Sequence, residues 1–194
     1  MVTVRVPAST ANLGSGFDCM GIALNLYSTA TIEEIDSGLE INITDSSRYY
    51  LPADETNFVY QSMKTVFDLT GRYPKGVRIT SNTEIPITRG LGSSSASLAV
   101  GLFGANELIG RPLSKDDLLS LACKIEGHPD NVTPAFFGGL TVAVKDGGKV
   151  IYTKTEIPSH IRFAAMIPNF HLATKKARSV LPRTAKATTG MWPH

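Results

Sequence analysis

The segment PITRGLGSSSASLAVGLFGANELIG, from Pro86 to Gly110, decides the fold and the chemistry that the sequence predicts. Gly90 and Gly92 precede three consecutive serines, and an apolar stretch with helical spacing follows at once. A helix needs only one serine as a cap, so the other two call for a different explanation. The unpaired N–H groups of a first helical turn attract anions, and glycines let a ligand approach the backbone. The segment therefore predicts a phosphate-binding loop at a helix N-terminus.

Two other interpretations of this segment stay open from the residues alone. A serine-capped helix behind a glycine turn would show the same pattern without any ligand. A hydrolase nucleophile within Gly92 to Ala96 is less favoured, because the G-x-S-x-G elbow would lack its final glycine. The loop is not a Walker A motif, because no lysine follows the glycines. Phosphate charge would need Mg²⁺ and basic groups from elsewhere, and we expect Gly92→Val to block phosphate without unfolding the chain.

A second polar segment follows the first predicted strand. The stretch PASTANLGSGFDCMGIAL, from Pro7 to Leu24, places Asn12 and Asp18 around a G-x-G turn. A polar surface turn is the alternative interpretation.

A third segment, KIEGHPDNVTPAFFGG, brings polar side chains together where a helix breaks. It contains Glu126, His128, Asp130 and Asn131, and a capped helix end followed by a proline turn is the alternative. The carboxylate of Glu126 suits Mg²⁺, which prefers oxygen ligands. Zinc is not favoured, because no second histidine or cysteine lies nearby at ligand spacing.

The remaining patterns mix strands and helices without regular βαβ alternation, which predicts the α+β class. We expect helices after Pro52, in the serine segment up to Gly110, and behind a capping box of Ser114 and Asp117. Thr56 or Asn57 would cap the first of these helices. The predicted strands are Val2–Val6 (ended by Pro7, with a loop to Asp18), Ile22–Ile35, Leu39–Asp45, Gly76–Ser81, the hairpin Leu140–Val144 with Lys149–Thr153, and Ile161–Ile167.

Composition excludes several classes of protein. The 194 residues are 42% hydrophobic, which is sufficient for a core, and the net charge of +2 without a basic block argues against nucleic-acid binding. No apolar run reaches the length of a membrane span, and the first residues lack the apolar region of a signal peptide. Cys19 and Cys123 form no C-x-x-C pattern, so we expect a reduced, cytoplasmic protein.

The three segments together resemble the GHMP kinase superfamily, and within it the homoserine kinases. The stretches PASTANLGSGFD, PITRGLGSSSAS and EGHPDNVTPAFFGG follow in the family's order, and ATKKARSVLP, from Ala173 to Pro182, is similar to the next family block. The serine segment alone would indicate only the superfamily. The resemblance implies ATP-dependent phosphorylation of the side-chain hydroxyl of L-homoserine to O-phospho-L-homoserine, a step of threonine biosynthesis, with Mg²⁺ as cofactor.

The same resemblance implies a domain organisation. Residues 1–160 would form a GHMP kinase N-terminal domain, similar to the second domain of ribosomal protein S5. Residues 161–194 would be only the start of a ferredoxin-like C-terminal domain, because the family is longer and RTAKATTGMWPH lacks the expected helical pattern. We therefore expect a truncated chain. The alternatives are another small-alcohol GHMP kinase, or an inactive fragment that binds nucleotide or a partner chain without turnover.

Individual residues take their expected roles from the matching motifs. Ser94, or its neighbour Ser93, and Glu126 would hold Mg²⁺, while Asn131, Thr174 and Arg178 would act in catalysis. The homoserine pocket would contain Asn12, Asp18, His128, Asn131 and Arg178, with Asp18 at the ammonium and Arg178 at the carboxylate. We also expect L-homoserine and ATP as small-molecule partners, no nucleic-acid or membrane partner, and a homodimer as the candidate assembly. The ATP phosphates would contact Pro86, Ile87, Thr88, Arg89, Gly90, Leu91, Gly92, Ser93, Ser94, Ser95 and Ala96.

Overall fold

A computed structural model describes residues 1–167 as one mixed six-stranded sheet with four α-helices. The strand order is β3-β4-β2-β5-β6, and β1 pairs with β2. Only β3 and β4 are parallel, which agrees with the predicted α+β class. The elements are β1 (Val2–Leu13), β2 (Gly16–Glu34), β3 (Gly38–Ile43), a 3-10 helix (Ser46–Tyr49), α1 (Phe58–Thr70), β4 (Gly76–Thr83), α2 (Ser93–Leu108), α3 (Lys115–Glu126), α4 (Val132–Phe137), β5 (Leu140–Asp146) and β6 (Lys149–Thr155).

The long strand β2 organises the sheet. It pairs with β1 along nearly its whole length, with β4 over residues 28–34, and with β5 over residues 20–22. The predicted loop from Pro7 to Asp18 is therefore wrong, because β1 continues to Leu13 and turns through Gly14 into β2. Pro7 lacks a ladder N–H, but the register shifts directly after it, and such an irregularity lets the strand continue.

The predicted strand Ile161–Ile167 is also wrong. None of the described strands pairs with this segment, and its side chains are exposed, including Phe163 at 60%. A β-strand needs a neighbouring strand for its backbone N–H and C=O groups, and without one the apolar pattern alone does not create it. The proposed start of a second domain at residue 161 stays a prediction, and residues 168–194 lie outside the described part.

Helix α2 is largely buried. Leu98, Leu102 and Ala105 are inaccessible to solvent, and a Cβ atom on Gly101 would lie 2.4 Å from the Val59 carbonyl oxygen of α1. Close contact with α1 and the sheet holds α2 at its position, so its first turn is presented from a rigid support.

The predicted helix starts are confirmed. The Asn57 side chain accepts a hydrogen bond from the Val59 N–H at 2.9 Å, and Ser114 with Asp117 forms a reciprocal capping box. Between residues 1 and 167, no helix combines the length and the apolar composition needed to cross a bilayer.

Candidate functional site

The loop before α2 presents its backbone, as the sequence predicts. Thr88, Gly90 and Gly92 all have left-handed φ angles, of 56°, 72° and 65°. Gly92 is the N-cap of α2 and has no side chain that could cap the first turn. None of the serines caps the helix, so its first N–H groups and the positive end of its dipole are available to an anion.

Instead of capping α2, two of its serines contact Glu126. The Ser94 hydroxyl lies 3.2 Å from Oε2 of Glu126, and the Ser95 hydroxyl lies 3.1 Å from Oε1. Ser95 is buried and Ser94 is exposed, so Ser94 is the serine that a ligand can reach. The expected pair of Ser94 and Glu126 is thus brought together, and its hydroxyl and carboxylate oxygens suit a hard cation.

Glu126 owes its place to the end of α3. The helix stops where Gly127 adopts a left-handed φ of 96°, and the Lys145 ammonium donates to the Gly127 carbonyl at 3.1 Å. The chain then turns sharply into His128 and the following residues, so the last carboxylate of α3 faces the first turn of α2.

The segment between α3 and α4 carries a buried acid. Asp130 is fully buried; its Oδ1 accepts from the Asn131 N–H at 2.9 Å and contacts Nδ1 of His128. Within the described residues, Oδ2 of Asp130 is buried without a hydrogen-bond partner. A buried carboxylate oxygen in this state favours a donor or a cation brought in by a ligand.

Asp18 joins this group from the start of β2. Its N–H donates to Oδ1 of Asn12 at 3.0 Å, and both residues have left-handed φ angles. Ligand atoms of Asp18, His128 and Asp130 lie within 4.8 Å of one another. Two carboxylates and an imidazole so close together form a region that attracts a cationic group.

Asn131 lies between this acidic group and the phosphate loop. Its Oδ1 accepts a hydrogen bond of 3.0 Å from the hydroxyl of Ser9, which is fully buried on β1. A Cβ atom on Gly92 would lie 2.2 Å from that hydroxyl oxygen and 3.2 Å from Oδ1 of Asn131. Sequence reasoning missed Ser9, because a serine within an N-terminal strand carries no motif signal.

The expectation for Gly92 needs a correction. A side chain there points at β1 rather than at a bound phosphate, so Gly92→Val would disturb the fold instead of leaving it intact. At Gly90 no atom lies within 4 Å of the position that a Cβ atom would take, so this glycine faces open space.

A cleft of about 520 Å³ adjoins the start of the loop. Its lining includes Asp45, Ser47, Tyr50, Ile87 and Arg89. The Ser47 hydroxyl is buried without a partner among the described residues. Burial raises the pKa of Asp45, but hydrogen bonds from the backbone N–H groups of Ser47 and Thr83 outweigh it and hold the pKa below its usual value, so the carboxylate is charged at neutral pH. No sequence motif indicated this cleft.

Of the sequence-predicted site residues, the structure brings together Ser94, Glu126, Asp18, His128 and Asn131. The side-chain oxygen of Asn12 accepts a hydrogen bond from the Asp18 N–H and so helps to place Asp18. Thr174 and Arg178 lie outside the described residues.

The chain is similar to proteins of a known family. The family described as GHMP kinases N terminal domain matches residues 57–139, which include the loop, α2, Glu126 and Asn131. The chain contains a GHMP kinase N-terminal domain. The chain is similar to homoserine kinases: it is 51% identical over 183 residues to that of Caldicellulosiruptor saccharolyticus and 47% identical over 193 residues to that of Clostridium botulinum.

These alignments cover 94% and 99% of this chain but only 59% and 63% of the two relatives. The chain thus spans about six tenths of the length of the curated relatives it matches. A solved homoserine kinase from Cytophaga hutchinsonii superposes with a TM-score of 0.76 and 28% identity, over 95% of this chain and 62% of that one. The chain therefore shares the fold of this homoserine kinase in the aligned part.

We predict that Gly92→Ala destabilises the kinase domain more than Gly90→Ala. Both substitutions place an L-residue at a left-handed φ, which costs roughly 1–2 kcal/mol. Only Gly92→Ala also forces a Cβ atom against Ser9, and such overpacking adds about 1–3 kcal/mol. Urea unfolding of the two variants measures the difference, and equal losses would show that Gly92 is not packed against β1 as described.

Proposed function

We propose that this chain transfers the γ-phosphoryl group of ATP to the side-chain hydroxyl of L-homoserine, giving O-phospho-L-homoserine and ADP. The observation that carries the proposal is the pairing of Ser94 and Glu126 at the uncapped start of α2, beside Asn131. The similarity to homoserine kinases supports the choice of alcohol.

The nucleotide part rests on the backbone of the loop. In the proposal, the first-turn N–H groups of α2 bind the phosphates, and residues 86–96 enclose them. The cleft beside Ile87 and Arg89 is large enough for the nucleoside and ends at this loop, and the unpartnered Ser47 hydroxyl there offers it a hydrogen bond.

The Mg²⁺ assignment rests on the donor set at Glu126. Ser94 is exposed and Glu126 is half-buried, and their oxygens are the hard ligands that Mg²⁺ takes alongside phosphates. The bound ion would supply charge neutralisation for the transferred phosphoryl group. Glu126 would hold the ion in position, and the Ser94 hydroxyl would be a further oxygen ligand.

The acceptor part rests on charge complementarity. Homoserine is a zwitterion, and the acidic group formed by Asp18 and Asp130 offers its ammonium a counter-charge. Arg178 would pair with the carboxylate, Thr174 would lie near the phosphate, and His128 with Asn131 would contact the hydroxyl. The hydroxyl oxygen then attacks the γ-phosphorus, the bond to ADP breaks, and the hydroxyl proton is released. Positioning and charge neutralisation suffice for this step, and we assign no residue as a dedicated base.

Two other functions are outcomes of the tests below. Transfer to another small alcohol would retain the superfamily chemistry with a different acceptor. Nucleotide binding without transfer would fit a chain that needs more of the family's length, since this one spans six tenths of its relatives. The homodimer and the cytoplasmic location stay predictions.

We predict that Glu126→Gln removes most of the effect of Mg²⁺ on ATP binding. The amide keeps the shape but loses the charge that attracts the ion, and even indirect partners of a metal site contribute about 10–100-fold to affinity. Calorimetric titration of ATP with and without Mg²⁺ measures the loss. Asp116→Asn, at the opposite end of α3, is the control and should match the parent. Identical Mg²⁺ dependence in Glu126→Gln and the parent would remove Glu126 from the metal site.

We predict that Asp18→Asn weakens homoserine binding while ATP binding hardly changes. A hydrogen bond to a charged group contributes roughly 1.5–3 kcal/mol, so affinity should fall by about one to two powers of ten. Calorimetry with each ligand measures both affinities, and Asp36→Asn, outside the acidic group, is the control. The amino-acid assignment is contradicted if Asp18→Asn binds homoserine as the parent does, or if ATP affinity falls equally.

A further inference from the structure

Ser9 hydrogen-bonds both the loop before α2 and the side chain of Asn131. Its backbone N–H donates to the Leu91 carbonyl at 3.1 Å, and its hydroxyl donates to Oδ1 of Asn131 at 3.0 Å. The residue is fully buried, so water does not compete for either hydrogen bond. One residue of β1 thus holds the phosphate loop through its backbone and Asn131 through its side chain.

In the structure, the Ser9 hydroxyl contacts the oxygen end of the Asn131 amide. A side-chain amide has an oxygen that only accepts and an NH₂ group that only donates, and the two orientations have nearly the same shape. Because the Ser9 hydroxyl donates to Oδ1, the NH₂ group of Asn131 remains for other partners. Among the described residues, this NH₂ group has no hydrogen-bond acceptor, and the Oδ1 atom of Asn131 does not cap α4.

We propose that Ser9 is a positioning residue that fixes the Asn131 amide with its NH₂ group towards the reacting oxygens. This inference rests on the proposed phosphoryl transfer. An NH₂ donor beside the first turn of α2 can hydrogen-bond a phosphoryl oxygen, whereas the opposite amide orientation would present an oxygen that repels it.

Gly92 packs closely against the hydrogen bond between Ser9 and Asn131, which limits the movement of both side chains. A Cβ atom on Gly92 would be in contact with both the Ser9 hydroxyl and Asn131. The backbone of the loop before α2 therefore leaves no space for a side chain beside these two groups. Small displacements of catalytic groups reduce rates strongly, so a tight junction between the loop and Asn131 favours transfer. The alternative role of Ser9 is simply to fill space under Gly92.

The test is a double-mutant cycle on homoserine phosphorylation. Ser9→Ala removes the hydroxyl but keeps the N–H that binds Leu91, so the KM for ATP should stay near that of the parent. We expect kcat with homoserine to fall by about three- to tenfold, the value of one net hydrogen bond. In an Asn131→Ala background, Ser9→Ala should cause no further loss, because its effect acts through Asn131.

Two further variants separate positioning from packing. Ser28→Ala makes the same truncation at a buried serine of β2 away from the site, and it should retain the kcat of the parent. Asn131→Asp keeps an oxygen for the Ser9 hydroxyl but loses the NH₂ donor, and we expect it to lose transfer while binding ATP. Parental kcat in Asn131→Asp would overturn the role assigned to the NH₂ group.

The activity of the parent chain distinguishes failure of the positioning role from failure of the proposed function. If it transfers phosphate to homoserine but the losses of Ser9→Ala and Asn131→Ala are additive, Ser9 only fills space and the positioning role is wrong. If the parent transfers no phosphate to homoserine, the proposed function is wrong and the role of Ser9 falls with it.

Discussion

The structure depends on one junction, where β1, the loop before α2 and the start of α4 touch at Ser9. The Ser9 N–H holds the Leu91 carbonyl, and its hydroxyl holds the Asn131 amide. Gly92 allows this approach because any side chain there would collide with Ser9. Since these three segments lie far apart in sequence, the position of the loop before α2 relative to Asn131 is set by this contact and by the buried helix α2.

The charges around the junction divide the site into two parts. On one side, the uncapped first turn of α2 attracts anions, and Glu126 beside Ser94 attracts a cation that would accompany them. On the other side, Asp18 and the buried Asp130 concentrate negative charge, and Oδ2 of Asp130 has no hydrogen-bond partner within residues 1–167. A substrate that carries an ammonium next to a short alcohol matches the second part, and a nucleoside triphosphate with Mg²⁺ matches the first.

Local signals in the sequence predicted most of the elements and the composition of the site. Glycines before serines predicted the exposed first turn of α2, and the capping residues Asn57 and Ser114 predicted helix starts, because these effects act within a few residues. The continuation of β1 past Pro7 and the absence of a strand at Ile161–Ile167 depend on whether a partner strand is present, which local patterns do not contain. For the same reason, the sequence did not predict the role of Ser9 or the close packing of Gly92 against β1. Both depend on contacts between segments that are distant in sequence.

The most direct test of the account is phosphoryl transfer by the chain itself. Phosphorus NMR would follow ATP and Mg²⁺ with homoserine, threonine, mevalonate or galactose, each in a separate reaction. The account predicts ADP and a phosphomonoester on the side-chain hydroxyl of homoserine in equal amounts, with the other alcohols slower. Preferred transfer to mevalonate or galactose, or ATP binding without transfer to any of the four, would contradict it.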